Sequence, residues 1–137
     1  EDKINFKAKK GLNMQNNIYK VLTLNEWEQA QESGFITTEL DVNDGFIHLS
    51  TSTQLNATLS LYFAKEESVI LLQLDHTNTH DKLKFEAPIP PGERISLFPH
   101  YYGDLNVNLV TRIWHLNRGA FEIPTEVMIQ AEEDSNL

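Results

Sequence analysis

The stretch "SVILLQLD", Ser68 to Asp75, limits this chain more than any other. Its apolar residues run almost without a break and show no alternation. That pattern reads as a strand buried on both faces. A strand of that kind needs cover on each side, and 137 residues favour one domain with room for such a core. No apolar run reaches ~18 residues, so a helical membrane span is not expected. The chain has no cysteine, which excludes disulfides, thiolate chemistry and cysteine-based zinc sites.

Around that strand the local signals fall into an order. Residues 1–17 show no period and read as a flexible leader, with Met14 a candidate start. "IYKVLTL", from Ile18, is β-prone and opens the domain. Thr23 and Glu26 form a capping box. The helix behind it turns Trp27 and Ala30 inward and ends at Gly34. "ITTELDVNDG" reads as a polar connection closed by an Asp44-Gly45 turn. "FIHLS" reads as one short strand, with Ile47 and Leu49 on one face and Phe46, His48 and Ser50 on the other. Thr51 and Gln54 form a second capping box. The helix that follows runs to about Phe63 with a stripe of Leu55, Leu59 and Tyr62.

After "SVILLQLD" the chain alternates through "KLKFE", with Leu83 and Phe85 inward. It then passes a proline-rich connection, "APIPPGER", which cannot lie inside a sheet. "VNLVTRIWHL" and "AFEIP" are further strands, separated by a turn at residues 117–119. Residues 18–124 make the domain, and residues 125–137 form an acidic tail. Early helices and late strands point to an α+β fold rather than a doubly wound sheet.

The formal charge is −9, unevenly spread. Five lysines against Glu1 and Asp2 give residues 1–20 a balance of +3, so the remainder carries −12. A body this acidic repels duplex DNA or bulk RNA. A small phosphorylated ligand is still open to it through a local pocket.

His48 shares a strand face with Phe46 and Ser50 while the opposite face is aliphatic. This directs His48 towards a cleft, where an imidazole can donate, accept or move a proton. The alternative is a histidine that ties its strand to a neighbouring loop. Ser50, Thr51, Ser52 and Thr53 stand at a helix start, whose free N–H groups attract negative charge. Plain capping is the competing account. "FPHYYG" brings His100, Tyr101 and Tyr102 together, either to grip a flat ring or to stiffen a loop. Glu86 could act as a base or steady a cationic centre, or be a solvated surface carboxylate. His76 and His80 are spaced i,i+4, but "HTNTHD" is turn-like, so no metal site is expected. Glycine-rich phosphate loops, Gly-x-Ser-x-Gly and His-Glu-x-x-His are absent from the sequence.

"DGFIHLST" together with "FPHYYG", along with "IYKVLTLNEWEQAQESG", "VILLQLD" and "KFE", resembles the domain-of-unknown-function 952 family over about Ile18 to Pro124. Phe85 stands where that family usually carries tryptophan. The family is similar in turn to the ADP-ribosyltransferase-like fold, nearest to its RNA 2′-phosphotransferase branch. The resemblance implies split β-sheets with two early helices packed on them, and a cleft that grips NAD as substrate without a metal. It implies a cytoplasmic protein and a small phosphorylated nucleotide as partner, and leaves the oligomeric state open. Carried onto this chain, His48 would meet a ribose or phosphate, with Ser50, Thr51 and Ser52 near phosphates. Tyr101 and Tyr102 would lie over the ring, and His48, His100 and Glu86 would be the catalytic candidates. Relatives place a His or Arg on the strand holding Tyr19, so Lys20 would have to take that role. The other expectation is a non-catalytic module that uses the same cleft to sense a small nucleotide or meet a protein.

Overall fold

The computed structural model describes residues 17–88 and 96–117. The expected leader, the proline-rich connection at 89–95, the turn after 117, the "AFEIP" strand and the acidic tail lie outside the described residues. The chain is α+β: helices and antiparallel sheets, as the order of signals implies.

The centre is a four-stranded sheet in the order β4-β1-β5-β9. Here β1 is Ile18–Leu22, β4 is Ser50–Thr51, β5 is Ser68–Leu74 and β9 is Val110–Asn117. The apolar run is β5, and it pairs with β1 on one side and β9 on the other. Six of its seven residues are buried. The strand alternation divides the core in two. Ile18, Leu22, Ile70 and Leu72 face a cluster that also holds Trp27 and Ala30. Tyr19, Val21, Val69 and Leu71 face a second cluster with Leu55 and Leu59.

Helix α1, Leu24–Ser33, begins where the capping box lies. The Thr23 side chain accepts from the Glu26 N–H, and Glu26 accepts in return from the Thr23 N–H at 2.9 Å. It ends at Gly34, whose φ of 88° is the left-handed geometry that glycine adopts without strain. A short strand β2, Phe35–Ile36, pairs with β8, Leu105–Asn106. Helix α3, Leu55–Tyr62, follows a 3-10 turn at Ser52–Gln54 and buries Leu55 and Leu59; Tyr62 is exposed.

Besides Tyr62, and Val107–Leu109, which form a 3-10 turn ahead of β9, three further expectations change. "ITTELDVNDG" is not a plain connection: residues Glu39–Asp44 form a helix, α2, capped by Thr38 and Asp41 and ended at Gly45. "FIHLS" is not one strand. It breaks at Leu49 into β3, Ile47–His48, and β4, which belong to different sheets. β3 pairs with β7, Phe98–Tyr101, and β7 pairs with β6, Leu83–Glu86. Phe85 does not turn inward: on β6, the edge strand of this sheet among the described residues, it is 44% exposed. No helix among the described residues is long and apolar enough to cross a membrane.

Candidate functional site

β1 is buried along its whole length, including Lys20 at 4% exposure. An ammonium there needs a counter-charge, and α2 supplies it. Asp41 lies on the inner side of that short helix, and its carboxylate takes Lys20 Nζ at 2.9 and 3.1 Å. The third donation of Lys20 goes to the His48 carbonyl at 2.9 Å. Asp41 accepts from the backbone N–H of His48 at 2.9 Å and from that of Thr38 at 3.0 Å. It also faces His48 Nδ1 at 2.6 Å. Burial pushes this carboxyl up, but hydrogen bonds from His48 and the Lys20 charge outweigh it and hold it at about 2.

The second ring nitrogen of His48, Nε2, lies 2.8 Å from Asp44 Oδ2 at the end of α2. Both ring nitrogens of His48 are engaged by carboxylates of α2. His48 thus serves both alternatives raised by the sequence. It ties β3 to α2, and its ring stays part-exposed on a groove wall.

Across the register from His48 stands His100 on β7. Its ring stacks on Phe46 with centroids 4.0 Å apart and meets the His48 ring edge-on at 5.7 Å. Nδ1 lies 2.8 Å from Glu86 Oε1 on β6. The same oxygen accepts from the Tyr102 hydroxyl at 2.7 Å. Burial lowers the His100 pKa below 6.5 against the opposing pull of Glu86, so the ring is neutral at pH 7. The bonds from Tyr102 and then His100 lower Glu86, and the bond to Glu86 raises Tyr102. Nδ1–H therefore donates to Glu86, and Nε2 keeps its lone pair. Among the described residues Nε2 has no hydrogen-bond partner.

A groove of about 340 Å³ opens in front of these two imidazoles. Lys20 and Asp41 lie in its floor, with aromatic walls at Tyr62, Phe63 and Phe98. Ser50 lines it too, its hydroxyl 2.7 Å from that of Thr58. The other expected ligand residues lie elsewhere among the described residues. Thr51 and Ser52 stand at the start of the 3-10 turn, where Gln54 accepts from the Thr51 N–H at 3.0 Å. Tyr101 is buried in the apolar core, because it pairs with Ile47 on the core face of β3 and β7. Tyr102, just past β7, turns its hydroxyl to Glu86.

Sequence reasoning missed Asp41, Asp44 and the buried role of Lys20. A signal was present: Thr38 and Asp41 have capping-box spacing, and a lysine inside "IYKVL" needs a partner. Among the described residues no group of three or more His, Asp or Glu could hold a metal ion.

An α+β domain with a histidine-lined groove is what fold and site define. The model of a family described as "Protein of unknown function (DUF952)" matches residues 21–113, and the chain belongs to that family. It is similar to the crystal structure of protein CC0527 from Caulobacter crescentus, at 32% identity and a TM-score of 0.72. That match covers 83% of this chain and 99% of the other. The solution NMR structure of CC0527 is similar at 36% identity and a TM-score of 0.62, covering 74% and 84% of the two chains. No curated protein matches the chain.

Proposed function

We propose that the groove binds a small nucleotide, NAD foremost, as an ADP-ribosyltransferase-like domain would, and that His100 is its acid–base group. The observation that carries this is the buried His100 ring. One nitrogen is held by Glu86, and the other has no partner among the described residues while the residue lines the groove. A carboxylate behind an imidazole fixes the tautomer and steadies the cation formed when the far nitrogen takes a proton. NAD, when bound, supplies a transferable ADP-ribosyl group on a neutral leaving base. His100 Nε2 accepts the proton of a ribose hydroxyl or of the attacking group. Phe98, Phe63 and Tyr62 offer faces to a flat ring. The groove carboxylates suit ribose hydroxyls and positive charge at the reacting carbon.

A second reading, a non-catalytic nucleotide sensor or interaction module, is favoured by one observation. Lys20, the residue that would replace the His or Arg of relatives, gives all three donations within the protein. Thermal-shift titration with NAD, ADP-ribose and AMP, followed by an assay of nicotinamide release, tests both. NAD is expected to raise the melting temperature of the native chain and not of His100→Ala. Release of nicotinamide marks the enzyme, and binding without release marks the sensor. No shift with any of the three ligands would overturn the nucleotide reading.

A further inference from the structure

The polar walls of the groove are one-sided. Among the described residues, four carboxylates line it (Glu26, Glu39, Asp41 and Glu66) against the single ammonium of Lys20. Lys20 is committed to Asp41 and the His48 carbonyl. Both His48 ring nitrogens face carboxylates, and the Ser50 and Thr58 hydroxyls bond each other. The open charged groups are carboxylates; the donors left are neutral, the Tyr62 hydroxyl and one O–H of the Ser50–Thr58 pair. The side-chain carboxylates of Glu39 and Glu66 make no ion pair or hydrogen bond among the described residues.

The second observation is independent of that charge. His100 is only 2% exposed, yet it lines the groove. With Nδ1–H turned to Glu86, the atom left for the groove is the lone pair on Nε2. That nitrogen is an acceptor open to the groove, where a ligand N–H can meet it. Tyr62, Phe63 and Phe98 also line the groove, and an aromatic ring attracts a cation placed over its face.

We propose that the groove selects a cationic, donor-rich ligand group: a primary ammonium, a guanidinium or a positively charged nitrogen heterocycle. The inference rests on the groove being the ligand site, and it deepens that reading by giving the charge of what enters. A phosphate would face the uncommitted carboxylates of Glu39 and Glu66 and an imidazole lone pair, with no free charged donor among the described residues to hold it. A guanidinium would bring five N–H donors to the same acceptors. A nucleotide therefore enters by its cationic end, with its phosphates outside.

Calorimetric titration of the full chain at low ionic strength tests this with four probes: agmatine, nicotinamide riboside, AMP and inorganic phosphate. Agmatine and nicotinamide riboside are expected to bind, more weakly as salt is raised. The Glu39→Gln/Glu66→Gln variant should weaken them about three- to tenfold. Glu32→Gln, outside the groove walls, serves as the control and should leave affinity unchanged. Binding of AMP or phosphate without binding of agmatine would overturn the charge assignment and leave the groove standing as a ligand site. Binding of the cations with equal affinity to the double variant would overturn it as well. Silence from all four probes would overturn the groove reading together with the inference.

Discussion

Replacing Asp41 by asparagine should cost this protein more stability than most single changes, and the structure sets the scale. The carboxyl is held at about 2 against an ordinary 3.8. At 1.36 kcal/mol per pKa unit this shift corresponds to roughly 2 kcal/mol of folding stability at neutral pH. The amide of the replacement would also present N–H donors to groups that are themselves donors. The Lys20 ammonium, 4% exposed, would keep neutral acceptors, the His48 carbonyl and at best the amide oxygen, and lose its counter-charge. Removal of one partner from a buried pair costs about 3–5 kcal/mol. Urea unfolding followed by Trp27 fluorescence gives the measurement. With slopes of about 1–3 kcal/mol/M, the midpoint should fall by about 2 M at an unchanged slope. A Lys20→Met/Asp41→Leu variant, which removes both charges, should recover much of the loss and keeps the experiment readable if Asp41→Asn does not fold. The pH arm has a definite sign. A depressed carboxyl contributes above its unfolded value, so this stability is intact above about pH 4 and is lost as pH falls towards 2. A cost below about 1 kcal/mol for Asp41→Asn, or a wild type no more acid-sensitive than the variant, would refute the reasoning.

The pH behaviour of His100 provides another test. Its ring titration by NMR should have a midpoint below 6.5, because burial outweighs Glu86. Glu86→Gln should lower that midpoint further, and a rise would contradict the assignment. Since the folded ring resists protonation, His100 contributes stability that is present above pH 6.5 and lost below it. Gly45→Ala should cost about 1–2 kcal/mol in thermal or urea unfolding. No atom of the described residues crowds the added methyl, so the cost comes from the φ of 86°. A neutral result would show that the end of α2 reshapes freely.

The framework was legible wherever periodicity and capping agree. The Thr23 box, the Gly34 stop and the buried run of β5 are local signals that tertiary packing did not override. α2 was not legible because its pattern is inverted: Leu40 and Val42 are exposed and Asp41 is buried. A six-residue helix held by a charge pair has no apolar stripe to find. The break at Leu49 was hidden for a related reason. Alternation continues through it, with Ile47 and Leu49 both in the core, while the hydrogen-bonding partner changes from β7 to β1. The juxtaposition of His48 and His100 follows from the β3–β7 register, which no spacing within the chain encodes. Glu86 and His100 were both singled out from sequence, but their bond depends on β6 lying beside β7.

The Lys20–Asp41–His48 joint also bears on how such a chain can change over generations. Its members lie 21 and 7 positions apart along the backbone, yet each meets the polar requirement of another. A lone drift at position 41 strands a cation, and a lone drift at position 20 strands an anion. In divergent homologues these sites should accordingly vary together, as a linked set, while the exposed positions 40 and 42 on the same short helix wander independently.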